Sequence, residues 1–146
     1  MRRMGKDGII SFGIIGTGRI ANDFAEDLKL VPNARLHSVL SRTREGAEQF
    51  GQRHGVSQTH DSIDQFLADV ALDAVYIASP NSAHVAQSLK CIRAGKAVLI
   101  EKPLAPSEPE AGVIFREADK HDVLVMEGMW IRFLPGILKA KKLIES

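Results

Sequence analysis

Ile9-Ile10-Ser11-Phe12-Gly13-Ile14-Ile15-Gly16-Thr17-Gly18-Arg19-Ile20-Ala21 is the stretch that decides the fold of this chain. The apolar run from Ile9 to Ile15 empties directly into Gly16-Thr17-Gly18-Arg19-Ile20-Ala21, the pattern G-x-G-x-x-A, and helical periodicity begins at Ile20. A buried strand that turns straight into a helix needs small residues at these three positions. Gly16 permits a tight turn with unrestricted φ. Gly18 lets a pyrophosphate approach the backbone, and Ala21 lets the helix pack close to the strand. The helix N-terminus then offers free N–H groups and positive partial charge to phosphates. Gly16, Thr17, Gly18, Arg19 and Ile20 are therefore candidate phosphate-binding residues. The competing reading is a glycine-rich strand-to-helix turn that binds nothing.

Working outward, the rest of the chain keeps the same rhythm. Pro32-Asn33 ends the first helix near Leu30, and Ala34 to Leu40 reads as a second strand. Thr43 is placed to cap a helix running to about His54, with Thr59-His60 as a short third strand. Ser62-x-x-Gln65 reads as a capping box before Ile63, Phe66, Leu67 and Val70 at helical spacing. Ala74 to Ala78 is a compact buried strand. Ser82 then caps a helix that turns Val85, Leu89 and Ile92 inward and stops at Gly95. Ala97 to Ile100 is the next strand. Ser107-x-x-Glu110 is a second capping box, ahead of Ala111, Ile114, Phe115 and Ala118. Val123 to Met126 closes the series as the last strand. Strands alternating with helices imply right-handed crossovers and an α/β fold, a doubly wound parallel sheet of the Rossmann type.

Composition limits what such a sheet can serve. A length of 146 residues, 45% of them hydrophobic, suits one domain with a real core. A net charge of +1 gives no broad field for nucleic acid or a membrane surface, so neither is an expected partner. Cys91 is the only cysteine, which excludes an intramolecular disulfide framework and suggests a reducing compartment. Inside a helix, Cys91 reads as a packed side chain rather than a nucleophile. Residues 1–8 are basic and expected to be flexible. The apolar run after them is too short for a membrane span and has no signal-peptide form, so a cytoplasmic location is expected. No metal site is expected.

In an open parallel sheet, ligands sit beyond the carboxyl ends of the strands. Besides the glycine turn, three segments fall there. Ser41-Arg42-Thr43 follows the second strand, where an NAD enzyme often carries an acid for the ribose 2′-hydroxyl. Here a cation and two hydroxyls suit a 2′-phosphate instead, which favours NADP over NAD. The other reading leaves Arg42 solvated and Thr43 a helix cap. In Ser79-Pro80-Asn81-Ser82-Ala83-His84, Asn81 can hydrogen-bond a ribose or nicotinamide, or simply cap the helix, and His84 taken alone reads as a first-turn surface histidine. Glu101-Lys102-Pro103 is a charged loop in which Lys102 can orient a substrate hydroxyl or move its proton, and Pro103 can hold a cis bond.

The ordered set G-T-G-R-I-A, S-R-T, A-S-P-N-S-A-H, E-K-P-L-A and M-E-G-M-W-I-R-F-L-P resembles the glucose–fructose oxidoreductase/inositol dehydrogenase (Gfo/Idh/MocA) family from Ile10 to Pro135. Met126 to Pro135 is similar to the branch of dimeric dihydrodiol dehydrogenases and NADP-dependent xylose dehydrogenases. The resemblance implies an oxidoreductase that moves a hydride between a nicotinamide and a hydroxyl-bearing carbon of a sugar, polyol or diol. It makes Lys102 the active-site lysine, near both the substrate hydroxyl and the nicotinamide. It places Ser79, Pro80, Asn81 and His84 along the nicotinamide side and Glu101 near the nicotinamide ribose. It brings Trp130 and Arg132 to the cofactor and substrate pocket. It also implies a second, largely antiparallel α/β domain, further substrate contacts and a homo-oligomer. That C-terminal domain is expected to be absent here: residues 9–128 form the dinucleotide-binding domain, and residues 129–146 a connector and the start of the next. The apolar positions Ile137, Leu138, Leu143 and Ile144 lie in that tail. Two rivals remain: a non-catalytic dinucleotide sensor, and a methyltransferase that binds S-adenosylmethionine on a Rossmann sheet.

Overall fold

The computed structural model describes residues 8–145. The basic segment expected to be flexible therefore lies outside the described residues, apart from Gly8. The order of elements is β1 (Ile10–Ile15), α1 (Arg19–Leu28), β2 (Ala34–Leu40), α2 (Arg44–His54), β3 (Gln58–His60), α3 (Ile63–Leu67), β4 (Ala74–Ile77), α4 (Asn81–Arg93), β5 (Ala97–Ile100), α5 (Glu108–His121) and β6 (Val125–Glu127). A 3-10 turn (Trp130–Phe133) and α6 (Pro135–Ile144) follow. The strands form one sheet in the order β3-β2-β1-β4-β5-β6, with every pairing parallel.

The two-residue period of the strands sorts the core onto the two faces of the sheet. Ile14, Val39 and Tyr76 lie in register and face Ala21 and Ala25 of α1 and Ala47 and Phe50 of α2. Ile15, Ile77 and Ile100 face the other way, against Phe66, Ile92 and Ile114 of α3, α4 and α5. Helices on both faces leave the central strands no solvated side, which is why β4 reads A-V-Y-I, buried at all four positions. Truncating Ile77 to Ala at this centre should cost about 2–5 kcal/mol.

Several local expectations shift. The α1 helix starts at Arg19, one residue before the expected onset of helical periodicity, and Ile20 is exposed. Ser62 makes no side-chain cap, α3 ends at Leu67, and Val70 is 88% exposed. Lys96, reaching across to the Asp69 and Leu72 carbonyls, ties down the turn in which Val70 stands. The α4 helix begins at Asn81 behind Pro80, so Ser82 is inside it and caps nothing. Ser107 hydrogen-bonds the Glu110 carboxylate, not an orphan backbone N–H, and Phe115 is 46% exposed. The last strand is Val125–Glu127, two residues later than its start was expected, because Asp122 takes a left-handed conformation that ends α5 and redirects the chain.

Every described residue of α6 is exposed, including Ile137, Leu138, Leu143 and Ile144. Among the described residues no helix is long and apolar enough to cross a membrane, and no group of three or more His, Cys, Asp or Glu side chains can hold a metal ion.

Candidate functional site at the strand ends

The strand order reverses between β1 and β4, the switch point at which an open parallel sheet takes its ligand. Backbone hydrogen bonds hold the exit loops side by side. Gly16 N–H reaches Leu40 O at 2.9 Å, Ser41 N–H reaches His60 O at 3.0 Å, Ala78 N–H reaches Ile15 O at 2.9 Å, and Glu101 N–H reaches Ile77 O at 2.9 Å. The result is a row: Ser41-Arg42, then Gly16–Gly18, then Ser79–Asn81, then Glu101-Lys102.

The two glycines of the turn do different work. Gly16 has φ of +106°, and a Cβ there would stand 2.8 Å from Ala78 O. The fold itself demands glycine at that point. Gly18 has φ of −74° and ψ of −175°, which any residue adopts, and a Cβ there would meet nothing within 4 Å. Nothing in the protein calls for glycine at position 18. The volume it leaves open is what a phosphate needs to reach the backbone, so the turn fits a dinucleotide.

Helix ends along the row point the same way. Neither α1 nor α4 has a side-chain cap, and neither has an acid in its first turn. By contrast, Thr43 caps α2 by accepting the Gly46 N–H at 3.1 Å, and Glu45 stands in that helix's first turn. Open N–H groups without a competing carboxylate are what an anion requires.

The β2 loop supplies hydroxyls and a cation. Thr17 Oγ1 and Ser41 Oγ lie 3.3 Å apart and share a hydrogen bond across two loops. Arg44 is committed to Asp61 Oδ1 at 2.6 Å and to Thr59 O at 2.7 Å. Arg42 is exposed and makes no hydrogen bond or ion pair among the described residues, and the same holds for the side chains of Arg19 and Lys102.

On the β5 side, Tyr76 O–H donates to Glu101 Oε1 at 2.6 Å. Burial, reinforced by Glu101, holds the Tyr76 phenol far above its ordinary pKa, so it remains a donor. Glu101 Oε2 accepts the Lys102 N–H at 3.2 Å. The Lys102–Pro103 bond is cis.

The structure corrects the place of His84. It is 0% exposed, so it is not a surface histidine. Nδ1 faces Pro103 O at 2.9 Å and Nε2 faces Ser79 O at 3.0 Å, which joins the β4 and β5 loops behind the edge. Trp130 and Arg132 stand on the exposed 3-10 turn after β6, at the end of the row opposite Arg42. Arg132 lines a groove of about 590 Å³ with Pro103, Phe115 and Met126. Cys91 is the packed side chain that its place in a helix suggests, and burial pushes its thiol up to about 12.

Three residues escape a sequence reading. Asn22 Nδ2 donates to Gly18 O at 2.8 Å and Thr17 O at 3.3 Å, while its Oδ1 accepts from Arg53 Nη1 at 3.0 Å and His54 Nε2 at 2.8 Å. It braces the glycine turn against the end of α2. Tyr76 orients Glu101, and Glu127 Oε1 accepts the Leu104 N–H at 2.9 Å. Only Asn22 carried a signal, an amide four residues past Gly18 on the first turn of a helix.

Comparison with known proteins agrees with this geometry. Residues 10–129 match the GFO_IDH_MocA family, described as an oxidoreductase family with an NAD-binding Rossmann fold. The chain is 36% identical over 134 residues to scyllo-inositol 2-dehydrogenase (NADP(+)) IolU of Bacillus subtilis (strain 168), covering 92% of this chain and 41% of that enzyme. It is 34% identical over 137 residues to trans-1,2-dihydrobenzene-1,2-diol dehydrogenase of Xenopus laevis, covering 92% of this chain and 42% of that enzyme. Among solved structures, it resembles the 3-ketoreductase KijD10 from Actinomadura kijaniata, in complex with TDP-benzene and NADP. The TM-score is 0.87 and the identity 28%, over 94% of this chain and 43% of that one. The chain thus spans about two fifths of the length of these relatives. A Rossmann sheet with an open glycine turn at its switch point and a family match over residues 10–129 agree: this chain belongs to the Gfo/Idh/MocA oxidoreductases and carries their NAD-binding domain.

Proposed function

We propose that this chain is the cofactor-binding domain of an NADP-preferring oxidoreductase that exchanges a hydride between nicotinamide and a hydroxyl-bearing carbon of a sugar, polyol or diol. One observation carries the cofactor half of this reading: the open volume at Gly18, in front of an uncapped and acid-free helix. Gly16, Thr17, Gly18, Arg19 and Ile20 would hold the pyrophosphate, and Ser41 with Arg42 the 2′-phosphate. Ser79, Pro80, Asn81 and Glu101 would line the nicotinamide ribose side, with Trp130 and Arg132 closing the far end. The relatives' names supply the substrate class: an inositol, a dihydrodiol and, for the solved neighbour, a keto group.

The cofactor, when bound, supplies hydride acceptance and donation at the nicotinamide. The chain's own residues position and move a proton. Lys102, exposed and without a side-chain partner among the described residues, is free to hydrogen-bond the substrate hydroxyl. In the oxidising direction the carbinol hydrogen would pass to the nicotinamide with the C–H electron pair, and Lys102 Nζ would take up the hydroxyl proton. In the reducing direction the ammonium returns it.

The 146-residue chain should bind NADPH and show negligible turnover, because a phosphate cradle and one lysine do not position a carbinol over the nicotinamide. Positioning accounts for about 7–11 kcal/mol of such barriers. The exposed apolar face of α6 suits a further domain or a second copy, and the assembled enzyme is read as a cytoplasmic homo-oligomer. Titration of NADPH fluorescence, followed by a panel of aldoses, polyols and trans-diols, tests both halves. No binding removes the cofactor reading, and robust turnover by this chain removes the need for more protein. In a longer enzyme that turns over, Lys102→Ala should lower turnover about 10²–10⁴-fold.

A further inference from the structure

The peptide that follows Lys102-Pro103 is gripped at both ends. Its carbonyl, Pro103 O, faces His84 Nδ1 at 2.9 Å, and its N–H, on Leu104, donates to Glu127 Oε1 at 2.9 Å. His84 comes from the first turn of α4, and Glu127 is the last residue of β6. A peptide unit is planar, so holding its oxygen and its nitrogen holds the whole plane. The Pro103 ring restricts the φ that connects this plane to the preceding residue. On the other side, the Lys102 N–H is held by Glu101, which Tyr76 holds in turn. Lys102 therefore stands between two fixed points, with only its side chain free.

The grips are not incidental to packing. His84 is fully enclosed, yet its nitrogens face two carbonyl oxygens on different loops, Pro103 O and Ser79 O. A ring nitrogen that faces a carbonyl oxygen bonds to it by donating an N–H. Glu127 ends a short edge strand, and its carboxylate reaches across to the β5 loop.

We propose that His84 and Glu127 are positioning residues that pin the Pro103–Leu104 peptide and thereby set where Lys102 stands at the cofactor edge. The importance given to Lys102 rests on the functional reading above. The pinning itself does not.

The test uses the 146-residue chain, with amide exchange at Leu104 and the ¹⁵N order parameter of Lys102 as readouts. Glu127→Ala should raise Leu104 exchange about tenfold and lower the Lys102 order parameter, since a hydrogen bond to a charged acceptor is lost. Glu127→Gln keeps an acceptor oxygen at the same reach and should restore both. His84→Asn keeps a donor near Nδ1, while His84→Gln keeps one near Nε2, so Lys102 should be better ordered in the Asn variant. If either His84 variant does not fold, the Glu127 pair decides alone. Unchanged exchange and order in Glu127→Ala, or a Gln variant as disturbed as the Ala variant, overturns the proposal. NADPH titration of the unmutated chain runs alongside. Its failure would count against the functional reading, while the exchange and order data would still judge the pinning.

Discussion

The turn after β1 and the turn after β5 lie on the same edge and are built in opposite ways. After β1, the first turn of α1 has no side-chain cap and no acid, and the space before Gly18 is empty. After β5, Glu101, His84 and Glu127 take up the Lys102 N–H, the Pro103 carbonyl and the Leu104 N–H in succession. Unused donors mark a place where something from outside completes the hydrogen bonding. Used ones mark a place where the backbone must hold a side chain still. The two turns therefore have opposite signatures, and both stand on one row of loops.

The sharpest way to break this contrast is within the β1 turn itself. Gly16→Val should destabilise the domain by about 3 kcal/mol or more, because a β-branched side chain at φ of +106° is strained and meets the Ala78 carbonyl. Thermal or urea unfolding measures it, and a melting curve like that of the unmutated chain would show that the turn tolerates a side chain there. Gly18→Val should leave the melting curve in place and weaken NADPH binding by about a hundredfold, the equivalent of about two charge-assisted hydrogen bonds. Equal affinity in the two forms would take the glycine turn out of the site.

The next effect is smaller and concerns the end of β2. Arg42→Ala should erase most of a preference for NADPH over NADH of about tenfold, since one contact to a phosphate is removed. Parallel titrations with both cofactors read this directly. If NADH binds the unmutated chain as well as NADPH does, the Ser41-Arg42-Thr43 segment is a cap and a solvated loop.

The smallest effect is a pH dependence of the braces behind the row. Burial, as the largest cause, pulls both His54 and His60 below their ordinary value of 6.5, with nearby Glu26 and Asp69 opposing it. The unfolded chain therefore binds these protons more readily than the folded one. The stability that the two histidines contribute is present above about pH 6.5 and is lost as pH falls through their lower folded values. Melting temperature should drop by about 2–4 °C between pH 7.5 and 5.5. A curve that rises over that interval would contradict the assignment.

Much of the edge was legible in the residues because its demands are local. Gly16 is called for by a positive φ within its own turn, Thr43 by the orphan N–H of Gly46, and β4 by four consecutive buried positions. His84 was misplaced because its partners, Pro103 O and Ser79 O, are brought to it by the pairing of β4 with β5, which no spacing in the chain reports. Val70 was misplaced for a related reason: three apolar residues at helical spacing say nothing about a lysine that ties the next turn to a strand.

Sequence alone determined the sheet, its two buried faces and the glycine turn after β1, since periodicity and glycine placement are properties of neighbouring residues. Only the tertiary structure decided that His84 is enclosed between the Pro103 and Ser79 carbonyls. It alone showed that Tyr76 orients Glu101 and that Glu127 meets Leu104. Such contacts join residues from separate strands and helices. They exist only after the parallel register has brought those elements together, and a hydrogen bond across two elements leaves no period in the chain.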